Sequence, residues 1–254
     1  MLQTRVIPIL LYNGVGLVKG IKFKDDKYVG DPVNAVRIFN EKEVDEIIIL
    51  DISASQKGKG PNYDFVSEVA SECFMPLSYG GGIDSVDKMK RIYDCGVEKI
   101  SINTAVIDSW GLIEEAAKIF GSQSVAVSID AKKNLFGGRT VYANRGSKNT
   151  KFDVVDFAKS AESAGAGELL INSVDRDGTG KGYDTELIRL ISSVVSIPTI
   201  SCGGASSLED FKEAVDAGSS AVAAGSFFVF YGKHRAVLIT YPEAKELEAY
   251  VGVR

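Results

Sequence analysis

Pro76-Leu-Ser-Tyr-Gly-Gly-Gly82 recurs as Pro198-Thr-Ile-Ser-Cys-Gly-Gly204, an offset of 122 residues between positions 76 and 198 in a chain of 254. Each copy is a short strand-like run that stops on glycines. The same offset carries Gly96 onto Gly218, Asn103-Thr104 onto Gly225-Ser226, and Ile48-Ile-Leu-Asp51 onto Leu170-Ile-Asn-Ser173. A period this long is not that of a solenoid; it describes two copies of a larger unit. Strand-like runs begin at Val6, Glu46, Pro76, Val97, Ser124, Glu168, Ile197 and Ser220. Helical patterns lie between them, at Pro32–Asn40, Tyr63–Glu72, Ser85–Asp94, Ser109–Phe120, Val154–Ser163, Thr185–Val194 and Leu208–Asp216. Strands that alternate with helices make parallel βα units, and eight such units close into a (β/α)8 TIM barrel. A doubly wound open sheet is the alternative, but no G-x-G-x-x-G opens the first unit. The expectation is an α/β fold with one domain over 1–254, built from half-barrels at about 1–122 and 123–254.

Composition agrees with that expectation. The 26 glycines are about 10% of the chain, above the usual ~7%. Hydrophobic residues at 45% supply a sizeable core, and 25% charged residues are not the pattern of a disordered chain. A net charge of −5 argues against nonspecific nucleic-acid binding. Cys73, Cys95 and Cys202 form no metal-type pair, and their odd number gives no disulfide framework. The apolar run Val6–Tyr12 is broken by Pro8 with no cleavage pattern behind it, and Ala221–Tyr231 is too short to span a bilayer. A soluble cytoplasmic protein with no membrane or nucleic-acid partner is expected. His234 is the one histidine, without a second ligand nearby in sequence, so it takes a surface role; neither metal nor cofactor is expected.

The glycine turns carry a possible chemistry. Gly80-Gly81-Gly82 ends the third strand and Gly203-Gly204 the seventh, while Asn103-Thr104 and Gly225-Ser226 follow the fourth and eighth. Backbone N–H groups in such loops reach phosphate oxygens, and strands seven and eight are the usual phosphate location in these barrels. Tight turns alone are the plainer reading of one glycine pair. Two matched sets suit a ligand with a phosphate at each end. Asp130, in Ile129-Asp-Ala-Lys132, ends the fifth strand, where barrel enzymes carry catalytic groups. Asp175-Arg-Asp-Gly-Thr179 follows the sixth strand as a polar turn.

These segments, with Ile49-Leu-Asp-Ile-Ser-Ala-Ser55, Ser101-Ile-Asn-Thr104, Gly121-Ser-Gln-Ser124 and Gly182-Tyr-Asp184, resemble the cyclase subunit of imidazole glycerol phosphate synthase across almost the whole chain. The resemblance implies a barrel of two half-barrels, a phosphorylated substrate and ammonia from a separate glutaminase subunit. It implies that Gly82, Asn103 and Thr104 bind one phosphate and Asp177, Gly178, Gly204, Gly225 and Ser226 the other. Asp51 and Asn172 join the substrate positions, and Lys19 resembles the lysine of the family's mobile first loop. The family's cyclase chemistry uses two aspartates. Asp130 matches one, but the other falls on Leu11, which carries no proton. A positioned acid or base contributes roughly 10²–10⁴ in rate, so this departure counts against ordinary ring closure.

The opposite end of the barrel reads differently. Strand alternation puts Arg5 with Ile7, Ile9 and Leu11, and Glu46 with Ile48 and Leu50. It likewise groups Lys99 with Ser101 and Asn103, and Glu168 with Leu170 and Asn172. Arg5, Glu46, Lys99 and Glu168 therefore start four strands on the inward side, as a neutral set of two cations and two anions. Solvated strand starts are the alternative for each taken singly. In the family this set is the ammonia gate, and Glu98 matches an acidic position at the glutaminase interface. An intact gate beside a broken acid–base pair resembles a second, cyclase-like copy from bacterial surface-polysaccharide pathways. The resemblance implies a glutaminase partner and an ATP-dependent sugar amidotransferase that makes an acetamidino sugar. A histidine-pathway cyclase and a non-catalytic phosphate-binding barrel are the alternatives. The segment Gly232–Pro242 has a poor helical pattern, with a short helix expected at Glu243–Tyr250; it is either a docking surface or a repacked final helix.

Overall fold

The computed structural model describes residues 4–107, 109–134 and 137–252. Among them, eight parallel strands close on themselves. They are β1 (Arg5–Tyr12), β2 (Ile47–Asp51), β3 (Leu77–Gly80), β4 (Lys99–Ile102), β5 (Val125–Lys133), β6 (Glu168–Ser173), β7 (Thr199–Cys202) and β8 (Ala221–Ala224). Each pairs in parallel with the next, and β8 pairs back with β1 from Arg5 opposite Ala221 to Pro8 opposite Ala224. This is the (β/α)8 barrel the alternating pattern predicts, and the open sheet is excluded by the β8–β1 seam.

Side-chain alternation divides the apolar residues into two cores. Outward residues such as Val6, Leu10, Ile49, Tyr79, Val127 and Leu169 pack under the helices. Inward residues Ile7, Ile9, Ile48, Leu170, Ile200, Cys202, Ala221 and Ala223 form a separate cluster inside the barrel. Strands with both faces buried read as the near-continuous apolar runs seen in the sequence.

Each strand except β8 leads, directly or through a loop, into a helix that packs outside it. The helices are α1 (Pro32–Glu41), α2 (Tyr63–Glu72), α3 (Val86–Asp94), α4 (Gly111–Phe120), α5 (Val154–Ser163), α6 (Thr185–Ser192) and α7 (Leu208–Asp216). Their starts are chemically marked. Asp31, Asn62, Ser85, Asp153, Asp184 and Ser207 each accept a backbone N–H of the first turn, and Ser207 with Asp210 completes a capping box. After β8 the chain departs from that plan. A helical turn (Ser226–Val229) leads into a small hairpin pairing Phe230–Tyr231 with Ala236–Val237, and only then into α8 (Ala244–Val251). Tyr241, just before α8, donates its hydroxyl to the carbonyl of Val6 at 2.9 Å and stacks on Phe228.

Two antiparallel hairpins, absent from the sequence reading, extend the barrel at its C-terminal mouth. The first pairs Leu17–Ile21 with Lys24–Gly30 after β1; the second pairs Arg139–Ala143 with Lys148–Asp153 after β5. Their turns use non-glycine residues at positive φ, Lys22 (53°) and Phe23 (64°) in one, Asn144 (49°) and Arg145 (55°) in the other. Lys22-Phe23 is a two-residue loop between Ile21 and Lys24, and two φ > 0 residues are what its type I′ turn requires; the second hairpin turns through four residues, Asn144–Ser147. The two turns are again 122 positions apart.

Candidate functional site

The C-terminal mouth holds two cavities. The larger, about 330 Å³, is lined by Asp51, Gly82, Ser101, Asn103, Thr104 and Asp130 among others. The smaller, about 40 Å³, is lined by Lys19, Asp177, Gly178, Gly204, Gly225 and Ser226 among others. The two glycine-rich residue sets thus separate onto two neighbouring cavities. Leu11, Phe23, Leu50 and Asn172 line both. Three of those four are apolar, so an apolar ridge with one amide stands between the cavities.

The glycines at these turns are required by close approach. Gly81 has φ +116°, and a Cβ there falls 2.2 Å from the carbonyl oxygen of Asp51; Gly204 has φ +112°, and a Cβ there falls 2.2 Å from that of Gly182. Packing alone therefore explains glycine at both positions, as the plainer sequence reading held. Their loops nevertheless form walls of the cavities. Asp51 is committed locally, because its Oδ1 accepts from the N–H and hydroxyl of Ser53 and the N–H of Ala54, at 2.9, 2.9 and 3.0 Å.

Lys19 lies in the first hairpin and is buried beside the smaller cavity. Its Nζ donates to the carbonyl of Ile9 at 2.6 Å and rests over Gly225, where a Cβ would meet it at 2.1 Å. Burial lowers its pKa to about 8, partly opposed by the charge of Asp177. The hairpin is held down by the N–H of Lys22, which donates to the carbonyl of Asp177 at 2.9 Å.

Asp130 faces the larger cavity. Burial raises its pKa to about 7, assisted by the charge of Asp177 and opposed by the amide of Asn172 and by Lys132. Asn103 donates to it at 3.4 Å and to the carbonyl of Ser128 at 3.0 Å. Asn172 Oδ1 is buried and takes no hydrogen bond among the described residues, an acceptor at the ridge between the cavities. Leu11 pairs with Leu50 on one side and Val18 on the other, and brings only methyl groups to the wall. Asp130 is therefore part-protonated near neutral pH, and Leu11 brings no second carboxyl to the wall.

That pKa has a measurable consequence. A carboxyl whose folded pKa lies above its unfolded value stabilises the fold fully below the unfolded pKa and loses that contribution as pH rises through the folded one. Unfolding free energy is expected to fall by roughly 2–4 kcal/mol between pH 4 and 8 on account of Asp130. In Asp130→Asn that part of the slope disappears. Urea denaturation of both chains at pH 4.5 and 8 checks this, and identical slopes would refute it.

At the other end of the barrel the four inward charges meet. Arg5 bonds Glu46 at 2.5 Å and also pairs with Glu168; Lys99 bonds Glu168 at 2.5 Å and Glu46 at 3.4 Å. Each cation touches both anions, so the set is a closed ring across the barrel floor. Glu46 and Glu168 are only 3% and 4% exposed. Above the ring one side of the bore is hydroxylic: Ser78 donates to Glu46 at 2.7 Å, and Ser101 and Ser128 share a 2.6 Å bond. The opposite side is the Ile, Leu and Ala cluster. Glu98, exposed, lies on the same end, as does Phe74, which is 85% exposed on a loop held by Asn40.

Sequence reasoning missed Phe23, Asn144 and Arg145, which the hairpins bring to the larger cavity. It also missed Ser128, on the inward face of β5. The offset of 122 was the available signal, since it pairs the two hairpin turns. His234 is exposed in the small C-terminal hairpin. No helix among the described residues is long and apolar enough to cross a membrane.

Comparison with known proteins adds the following. The model of the family described as histidine biosynthesis protein matches residues 5–235. A Pseudomonas aeruginosa protein provisionally named imidazole glycerol phosphate synthase subunit hisF2 is 52% identical over 249 residues, covering 98% of this chain and 99% of its own. A Vibrio vulnificus protein provisionally named subunit hisF3 of the same synthase is 46% identical, covering 97% and 95%. A Campylobacter concisus protein named imidazole glycerol phosphate synthase subunit HisF is 44% identical over 226 residues, 89% of each chain.

Proposed function

Because the chain belongs to the histidine biosynthesis protein family, we propose that it is a cyclase-like subunit of the imidazole glycerol phosphate synthase type that receives ammonia from a separate glutaminase. The observation that carries this reading is the closed ring of Arg5, Glu46, Lys99 and Glu168. Buried ion pairs cost desolvation and are weak contributors to stability. A ring placed where barrels normally carry Val, Ile and Leu calls for a role beyond packing. Beneath the hydroxyl-lined side of the bore, a neutral ring suits passage of a small polar molecule, which moves past paired charges and serine hydroxyls toward Asp130.

The proposal extends to both ends. On the ring end, Glu98 and the exposed ring of Phe74 supply a charge and an aromatic anchor for the glutaminase. On the mouth end, Gly82, Asn103 and Thr104 take one phosphate, and Asp177, Gly178, Gly204, Gly225 and Ser226 take the other with Lys19. Asp51 shapes its loop, and Asn172 meets the ligand between the two. The whole is read as two half-barrels, supported by the paired hairpins at the 122-residue offset. Leu11 removes one of two proton-handling groups, so the ammonia acceptor is not the usual cyclase substrate. The proposed acceptor chemistry is amidination of an acetamido sugar of surface polysaccharide by an ATP-dependent amidotransferase.

The test uses purified chain and a glutaminase of the histidine pathway from the same genome. A one-to-one complex at micromolar concentration with stimulated glutamine hydrolysis is expected. Monomeric chain on size-exclusion chromatography, with no stimulation, would overturn the proposal in favour of a phosphate-binding barrel without a partner.

A further inference from the structure

The larger cavity contains a cation that neither the family resemblance nor the glycine motif assigns. Among its described lining residues Arg145 is the only lysine or arginine; the other charged groups are Asp51, Asp84 and Asp130. Asp51 is occupied by its loop and Asp84 by Lys88 at 2.7 Å. Arg145 is brought there by its hairpin turn. The N–H of Asn144 donates to the hydroxyl of Thr104 at 3.1 Å, which seats the turn on the loop after β4. Gly146 is tied down by Lys132, whose Nζ donates to its carbonyl at 2.5 Å. The N–H of Ser147 donates to the carbonyl of Asn144 at 3.3 Å and closes a turn around Arg145-Gly146, in which Arg145 takes a φ of 55° that side-chain-bearing residues seldom adopt. A bulky residue at positive φ costs of order 1 kcal/mol, so this position spends backbone energy to put a guanidinium over the cavity.

Without ligand the guanidinium is not idle. It pairs with Asp26 on the first hairpin, and its charge also reaches Asp177. The first hairpin meets the second again where the Phe23 ring lies against Gly146, with a Cβ at Gly146 only 3.1 Å from the ring. The two hairpins thus close over the mouth with one salt bridge between them.

We propose that Arg145 is the ionic ligand for a phosphate monoester in the larger cavity, and that it reaches that group by exchanging Asp26 for phosphate. This rests on the reading that Gly82, Asn103 and Thr104 take a phosphate. Guanidinium pairs bidentately with either a carboxylate or a phosphate, so the exchange replaces one fork-shaped partner with another. Ligand binding in the larger cavity then releases the hairpin that carries Lys19, which couples the two cavities.

The test exploits the sign of two substitutions that break the same salt bridge. Glycerol 3-phosphate is titrated into the full chain and followed by backbone amide shifts, with Gly82, Asn103 and Thr104 reporting the larger cavity and Gly204 and Gly225 the smaller. Arg145→Gln is expected to weaken binding at the larger cavity roughly 10- to 100-fold. Asp26→Asn frees the guanidinium and is expected to tighten it about three- to tenfold. A merely structural salt bridge would move both variants in one direction, and that result, or no change in either, overturns the proposal while leaving the phosphate reading intact. No shift at Gly82, Asn103 or Thr104 in the unmodified chain overturns both.

Discussion

Leu11→Asp is expected to show ammonium-dependent ring closure, and the unmodified protein to show none. Leu11 stands at the end of β1 on the wall shared by both cavities, and Asp130 ends β5 on the wall of the larger. The resemblance calls for an aspartate at each place. Asp130 holds its proton near pH 7, the range in which a carboxyl both gives and takes one. One such group alone serves half of a two-proton reaction. Restoring the second is expected to raise turnover of the phosphoribulosyl formimino substrate with ammonium by about 10² or more. Leu11→Asn, matched in size but unable to exchange a proton, is expected to stay inactive. The new carboxyl replaces a half-buried leucine, at roughly 1–3 kcal/mol of stability. Turnover in the unmodified chain within tenfold of Leu11→Asp would mean that another group supplies the missing acid or base, and the chain would then be an ordinary cyclase.

Lys99→Met is expected to give the largest loss of stability. Lys99 bonds both Glu46 and Glu168, and those carboxylates are nearly without solvent. Removing the cation leaves two buried anions with only Arg5 between them. Breaking a buried pair in this way costs about 3–5 kcal/mol. For a chain of this size that corresponds to a fall in Tm of roughly 10 °C. Lys99→Met combined with Glu168→Gln removes one charge of each sign and is expected to recover much of the loss. Thermal denaturation of the single and double variants measures the coupling. A single variant within 2 °C of the unmodified protein would show that water already screens the ring.

The structure also shows where sequence reasoning is strong. The eight barrel strands were legible because both of their faces are buried, so each reads as a short apolar run bounded by glycine or a helix cap. The ring was legible because alternation has a fixed period of two: once Ile7, Ile9 and Leu11 face inward, Arg5 must as well. The hairpins were not legible. Lys24–Gly30 and Lys148–Asp153 are largely exposed and polar, with no buried face to impose a pattern. Neither turn carries the Asn-Gly or Asp-Gly pair that signals a two-residue connection: Lys22-Phe23 take up positive φ without glycine, and Asn144–Ser147 is a four-residue loop turning at Arg145-Gly146. Missing the hairpins meant missing Phe23 and Arg145 at the cavity. At the C-terminus the poor helical pattern before Pro242 turned out to be a small hairpin, and the helix expected at Glu243–Tyr250 runs Ala244–Val251 behind a Glu243–Glu246 capping box.

The seam between β1 and β8 bears on how the chain is made. Arg5 and Ala221 are partners across it although 216 positions separate them. At about 5–20 residues per second, a ribosome takes roughly 10–40 s to travel that distance. Through that time β1 has one edge without its strand, and an unpaired edge is a template for the wrong neighbour. The rest of the barrel is able to form in order behind it, each strand adding to the last. Only after β8 emerges does the seam zip, and only when Tyr241 follows does its hydroxyl reach the carbonyl of Val6. β8 and Tyr241 thus act as the clasp of a ring whose other end, β1, leaves the ribosome well before them.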